Sequence, residues 1–71
     1  MGKTHVRNTL RRLRFDADEM TQAALADHVG VTRQTIVAIE KAHYSPSLEV
    51  AFKIARVFDV PLEQVFFYDD T

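Results

Sequence analysis

The chain contains no cysteine. That excludes disulfides and thiolate zinc sites, and it fits a reducing cytoplasm. His5, His28 and His43 stand too far apart for the spacing of a zinc histidine pair, so no metal site is expected. No apolar run approaches the ~20 residues of a membrane-spanning helix. The stretch "MGKTHVRNTL" lacks the apolar centre of a signal peptide, and Val6 stands where a myristoylation motif needs Ser or Thr. The expectation is a soluble, cytoplasmic protein with no membrane partner. Enzyme signatures are lacking as well. No Ser/His/Asp, paired-carboxylate, phosphate-loop or metal spacing is present. No catalytic residue, cofactor or small-molecule ligand is expected.

A large excess of one charge is also missing, since the net charge is −1 over 71 residues. That length predicts one domain, residues 1–71, with one small core. The charge is unevenly placed. Lys3, Arg7, Arg11, Arg12 and Arg14 open the chain without an acid among them, whereas Asp59, Glu63, Asp69 and Asp70 close it. An anionic partner would have to be met by a local patch and not by global attraction. On charge alone the plain reading is two solvated faces.

Only two prolines and two glycines interrupt the chain, and its apolar residues follow a helical period. The pattern predicts five short helices. The first runs from about Thr4 or Asn8 to Asp16, with Val6, Leu10 and Leu13 on one side, although "THVRN" reads equally as a short strand. Thr21 suits an N-cap for the second helix, whose inner positions are Ala24, Leu25 and Val29. Gly30 ends it in a left-handed residue. Thr32 caps a third helix that runs to about Lys41, so a helix-turn-helix is expected over about residues 21–41. Pro46 and Ser47 introduce a fourth helix, with a predicted stripe of Leu48, Ala51, Phe52, Ala55 and Phe58. Pro61 opens a short fifth helix, and "FFYDDT" can form a strand.

The third helix raises the functional question. On a wheel of about 100° per residue, Thr32, Ile36 and Ile39 share the sector expected to face the core. Arg33, Gln34, Val37 and Lys41 share the opposite quadrant, with Thr35 and Glu40 at its borders. A guanidinium, an amide, an apolar group and an ammonium are the groups that read a DNA major groove. Arg pairs with guanine, Gln with adenine, an apolar group with the thymine methyl, and Lys with phosphate. Exposed polar helix faces are usually only solvated. The tight turn at Gly30 in front of this one separates it from that background, because two helices so joined make a helix-turn-helix.

The segment "MTQAALADHVGVTRQTIVAIEKAHYSPSLEVAFKIARVFDVPLEQVF" resembles the helix-turn-helix of Cro/CI-type phage repressors, the xenobiotic-response-element family, in its compact single-domain form. The resemblance rests on Thr21-Gln22, Ala26, Gly30, Ile36, Glu40 and "SPSLEVAFKIA" taken together. It implies an all-α, five-helix phage-repressor-like fold; the terminal segments can add a small two-stranded sheet. It also implies residue roles. Gln22 would bind a phosphate and brace the third helix. Arg33 and Gln34 would meet bases, while Thr32 and Thr35 would touch phosphate or a base edge. Lys41, His43, Tyr44 and Ser45 would follow the DNA backbone. Arg14 and Glu40 would pair internally.

Many members of that family carry Gly where this chain has Ala42. A left-handed Ala42 would store about 1 kcal/mol of strain, so Ala42→Gly is expected to stabilise the fold. The implied activity is that of a homodimeric repressor on a palindromic duplex-DNA operator. The aromatic pair Phe67 and Tyr68 is the candidate dimer contact, with Val60, Leu62, Val65 and Phe66 beside it. The alternative is an antitoxin-like module that masks a partner protein and binds DNA secondarily.

Overall fold

The computed structural model describes residues 4–69. Lys3 and Asp70, counted above among the charged ends, lie outside them. The elements run β1 (Val6–Asn8), α1 (Leu10–Asp16), α2 (Gln22–Val29), α3 (Arg33–Glu40), α4 (Leu48–Phe58), α5 (Leu62–Val65) and β2 (Phe66–Tyr68). Five helices thus carry one antiparallel pair of strands, in which Val6 faces Tyr68, Arg7 faces Phe67 and Asn8 faces Phe66.

Local chemistry sets most of the boundaries. The hydroxyls of Thr21, Thr32 and Ser47 accept from the backbone N–H groups of Ala24, Thr35 and Val50, respectively. Each cap satisfies a donor that the first helical turn leaves without a partner. At the end of α2, Gly30 is left-handed with φ 85°. Its N–H and that of Val31 both reach the Ala26 carbonyl, at 2.8 and 3.1 Å. This closed end leaves almost no chain between α2 and α3 and fixes the angle at which they meet.

The core takes residues from every helix. Leu10, Leu25, Ile36, Ile39, Ile54 and Val65 are wholly buried, and Ala26 is buried in the same cluster. Asn8 ties the sheet to this core. Its Nδ2 donates to the Ile39 carbonyl at 2.8 Å, and its Oδ1 accepts from the Leu10 N–H at 3.1 Å. One side chain therefore starts α1 and anchors the end of α3.

At the start of the chain the strand alternative holds: Val6 belongs to β1 and not to the first helix. Three details differ from the sequence reading. Thr32 is exposed, because a residue that caps a helix with its hydroxyl cannot also point that side chain into the core. In α4 the buried residues are Ala51, Ile54 and Ala55, whereas Leu48 and Phe52 are exposed. Ala24 is only half-buried.

Ala42 is left-handed, with φ 59°. The His43 N–H returns to the Ala38 carbonyl and the Ala42 N–H to the Ile39 carbonyl, both at 3.0 Å. The Ala42 methyl is also buried, which changes the balance anticipated for Ala42→Gly. Relief of about 1–2 kcal/mol of left-handed strain is offset by about 0.8 kcal/mol of lost methyl burial. A more flexible unfolded chain costs a further ~0.4–1 kcal/mol. Ala42→Gly is therefore expected to move the folding free energy by less than about 1 kcal/mol, in urea titration of both proteins. A gain well above that would mean that the methyl is not packed.

Candidate nucleic-acid interface

The inner side of α3 is fixed by Ile36 and Ile39, at 0 and 1 % exposure. With that side pinned, the helical period turns Arg33 and Gln34 outward. Both are exposed, and neither forms a side-chain hydrogen bond or ion pair among the described residues. Val37 is half-buried beside them, and Lys41 is exposed at the helix end. His43, Tyr44 and Ser45 continue along the same exposed connection towards α4.

A polar network fastens α3 to the two preceding helices. Glu40 receives Arg14 Nε at 2.6 Å and Nη2 at 3.0 Å, one on each carboxylate oxygen. Gln22 Nε2 adds a third donor at 3.2 Å, and Arg14 Nη1 donates to the Met20 carbonyl at 2.9 Å. The side chains of Arg14 and Glu40 are only 15 and 10 % exposed. The network joins α1, the approach to α2, the first turn of α2 and the last turn of α3. No buried side-chain polar atom among the described residues lacks a partner.

The hydroxyls at the start of α3 are partly engaged. Thr32 Oγ1 lies 2.9 Å from Thr35 Oγ1 while also capping the helix. Whichever hydroxyl accepts in that pair keeps its own proton free. Gln22 uses one amide N–H on Glu40 and keeps a second. Both places therefore retain a donor suited to an anionic oxygen.

An open cleft of about 690 Å³ lies between α1, the start of α2 and the outer side of α3. Thr21, Gln22, Arg33, Val37 and Lys41 border it, with the Arg14–Glu40 pair in its wall. Arg11 borders it too, and the sequence reading did not assign that residue to the site. Its spacing from Arg14 was the available signal: residues three apart on a helix share a side, and Arg14 faces this cleft. Phe67 and Tyr68 lie elsewhere, on β2, at 51 and 66 % exposure. No group of His, Asp and Glu among the described residues is arranged to hold a metal ion. No helix among them is long and apolar enough to cross a membrane.

Comparison with known proteins places this geometry. A family profile described as helix-turn-helix (HTH_3) matches residues 10–65. An uncharacterised HTH-type transcriptional regulator of Methanocaldococcus jannaschii, MJ0272, is 57 % identical over 51 residues, which cover 72 % of this chain and 77 % of that protein. The transcriptional repressor RstR of the cryptic phage CTXphi in Vibrio cholerae is 36 % identical over 56 residues. These cover 79 % of this chain but 50 % of RstR. In structure, the fold is shared with a candidate DNA-binding protein from Bacteroides fragilis at a TM-score of 0.76 and 22 % identity, over 87 % of this chain and 98 % of that one. The matched segment runs from the first residue of α1 to the last of α5, and so covers the whole helical body. The chain belongs to the helix-turn-helix family of Cro/CI and xenobiotic-response-element type, a family of transcriptional regulators and not of enzymes.

Proposed function

We propose that this protein is a homodimeric repressor that reads a two-fold symmetric operator with α3 in the major groove. One observation carries the reading. Arg33 and Gln34 stand exposed, without a side-chain partner among the described residues, on the helix whose other side is locked into the core. A rigid helix with free bidentate donors is what base-edge readout needs. Arg33 takes a guanine and Gln34 an adenine, while Val37 lies against a thymine methyl. The spare N–H of Gln22 and the free hydroxyl proton of the Thr32–Thr35 pair meet phosphate. Lys41, His43, Tyr44 and Ser45 follow the backbone. The Arg14–Glu40 pair holds α3 at its angle to α1 and keeps the Glu40 charge away from phosphate. Repression is supported by the likeness to RstR, which is named a transcriptional repressor. Such a regulator works beside the DNA, in the cytoplasm.

One recognition helix buries too little surface for tight specific binding, and dimers supply the second. The edge of β2 supports that assembly. The Asp69 N–H reaches the His5 carbonyl at 2.8 Å, and the Thr9 N–H reaches the Val65 carbonyl at 2.9 Å. By the alternation of an antiparallel ladder, Phe67 therefore bonds inward to β1 while the backbone of Tyr68 points to the outer edge. Side-chain alternation also sends Phe67 and Tyr68 to opposite sides of the sheet. A single flat contact cannot cover both, whereas pairing along the β2 edge of a second copy brings both against it. Val65 is buried and Leu62 and Phe66 are partly buried against the core, which favours Phe67 and Tyr68 for this role.

Selection of bound duplexes from random DNA tests the reading. The expected result is an inverted repeat with half-sites about 34–36 Å apart on one face, bound by a particle of twice the 8.1 kDa chain mass. Purification alongside a stoichiometric protein partner, with at most weak enrichment of any DNA sequence, would instead favour the antitoxin-like alternative. The exposed Leu48 and Phe52 of α4 would then be candidates for the partner's contact.

A further inference from the structure

We infer that Arg11 is a further DNA-backbone contact, carrying each subunit's footprint from α3 across the cleft onto α1. The inference rests on the proposed DNA reading and adds a residue that neither the family pattern nor the wheel assigned.

The ion pairing of the chain singles this residue out. Arg7, Arg12, Arg14 and Lys53 are each paired with a carboxylate: Asp69, Asp16, Glu40 and Glu49. Among the described residues Arg11, Arg33, Lys41 and Arg56 form no ion pair. Arg56 lies apart, beside Asp59 and Val57. The other three border one cleft. The carboxylate in that cleft, Glu40, is already held by both Arg14 nitrogens and by Gln22. It therefore has little capacity left to neutralise Arg11. Glu19 shares a smaller depression with Arg11 but forms no ion pair with it.

Like charges gathered round a concave surface repel each other, and low-dielectric walls concentrate their field. The chain is nearly neutral overall, so this gathering is not a by-product of bulk charge. An anion spanning the cleft relieves it. A phosphodiester strand fits that description when α3 lies in the groove, because the strand bordering the groove then passes between α3 and the N-terminal part of the bundle. Arg11 meets the phosphate on the far bank, opposite Arg33 and Lys41.

The test uses the full-length protein with two duplexes, one enriched by selection and one of unrelated sequence. Affinity is measured against salt for the wild type, Arg11→Ala, Arg11→Lys and Lys41→Ala. Each lost phosphate contact reduces the slope of log K against log salt by about 0.9 per subunit. Arg11→Ala is expected to show that reduction and to weaken both duplexes by the same factor, with Arg11→Lys restoring the slope. An unchanged slope in Arg11→Ala, beside a reduced one in Lys41→Ala, overturns the inference and leaves the DNA reading intact. A slope loss that Arg11→Lys does not recover also overturns it, since the side chain would then act through the fold. If the wild type enriches no duplex, both readings fall together.

Discussion

Glu40→Ala is expected to lower the folding free energy by about 1.5–3 kcal/mol, the cost of removing the acceptor of charge-assisted hydrogen bonds in a partly buried ion pair. At about 4–8 °C per kcal/mol for a domain of this size, even the lower figure amounts to a loss of about 6 °C or more in melting temperature. The size of the effect follows from what stays behind. Arg14 and Glu40 are 15 and 10 % exposed, so solvent screens the pair poorly. Without Glu40, the guanidinium keeps only the Met20 carbonyl among the partners it has in the wild type. Gln22 loses its acceptor at the same time. The desolvation of a charge then stands uncompensated, and the three segments that meet at Glu40 lose their common tie. The double variant Arg14→Met/Glu40→Leu separates this cause from simple loss of packing. Apolar replacements of a buried pair are commonly neutral or stabilising, so the double variant is expected to recover most of the loss. Urea titration of the wild type, both single variants and the double variant closes the cycle. A Glu40→Ala protein within about 1 kcal/mol of wild type would mean that water replaces the lost partner.

Arg33→Ala is expected to do the opposite: to leave the fold alone and change what is read. Its side chain is exposed and forms no ion pair or hydrogen bond among the described residues, so stability should shift by no more than about 0.5 kcal/mol. A bidentate Arg–guanine pair discriminates by about 1–3 kcal/mol, or about 5- to 150-fold between bases. That discrimination should vanish at one position in each half-site and persist at the others. Repeating the random-DNA selection with the variant displays this directly, as a flattened base preference at one symmetric pair of positions. Retention of the full wild-type preference would remove Arg33 from the reading head. Comparison with Gln34→Ala locates the neighbouring position, where the expected loss is preference for adenine.

What could be read in advance was mostly what neighbouring residues decide among themselves. Thr21, Thr32 and Ser47 cap helices through bonds to residues three positions away, and Gly30 turns left-handed because it lacks a Cβ. Such features need no knowledge of the rest of the chain. The outer side of α3 was legible for the same reason, since Ile36 and Ile39 define one side and the period places the remaining residues. The fourth helix was not. In "LEVAFKIARVF" the polar Glu49, Lys53 and Arg56 share one sector, and the apolar arc opposite is so wide that Leu48 and Phe52 lie at its edge, where the period alone does not separate buried from exposed. Contact with α2 selects Ala51, Ile54 and Ala55 and leaves Leu48 and Phe52 outside. The start of the chain was undecided between helix and strand because the deciding partners, Phe66 to Tyr68, lie at the other end of the sequence. Arg11 was missed because an unpaired cation is defined by the absence of carboxylates around it, and only the assembled structure shows that absence.

The strand ladder has a consequence for the order of events in folding. Its partners, such as Val6 and Tyr68, are separated by nearly the whole length of the chain, whereas α2 meets α3 across a single tight turn. Closing so long a loop carries an entropy penalty that local helix pairs avoid. The helical body can therefore condense first, with the ladder zipping last and opening first when the molecule fluctuates. Backbone amides of Arg7 and Phe67 should accordingly trade hydrogen for deuterium sooner than those of Leu25 or Ile36.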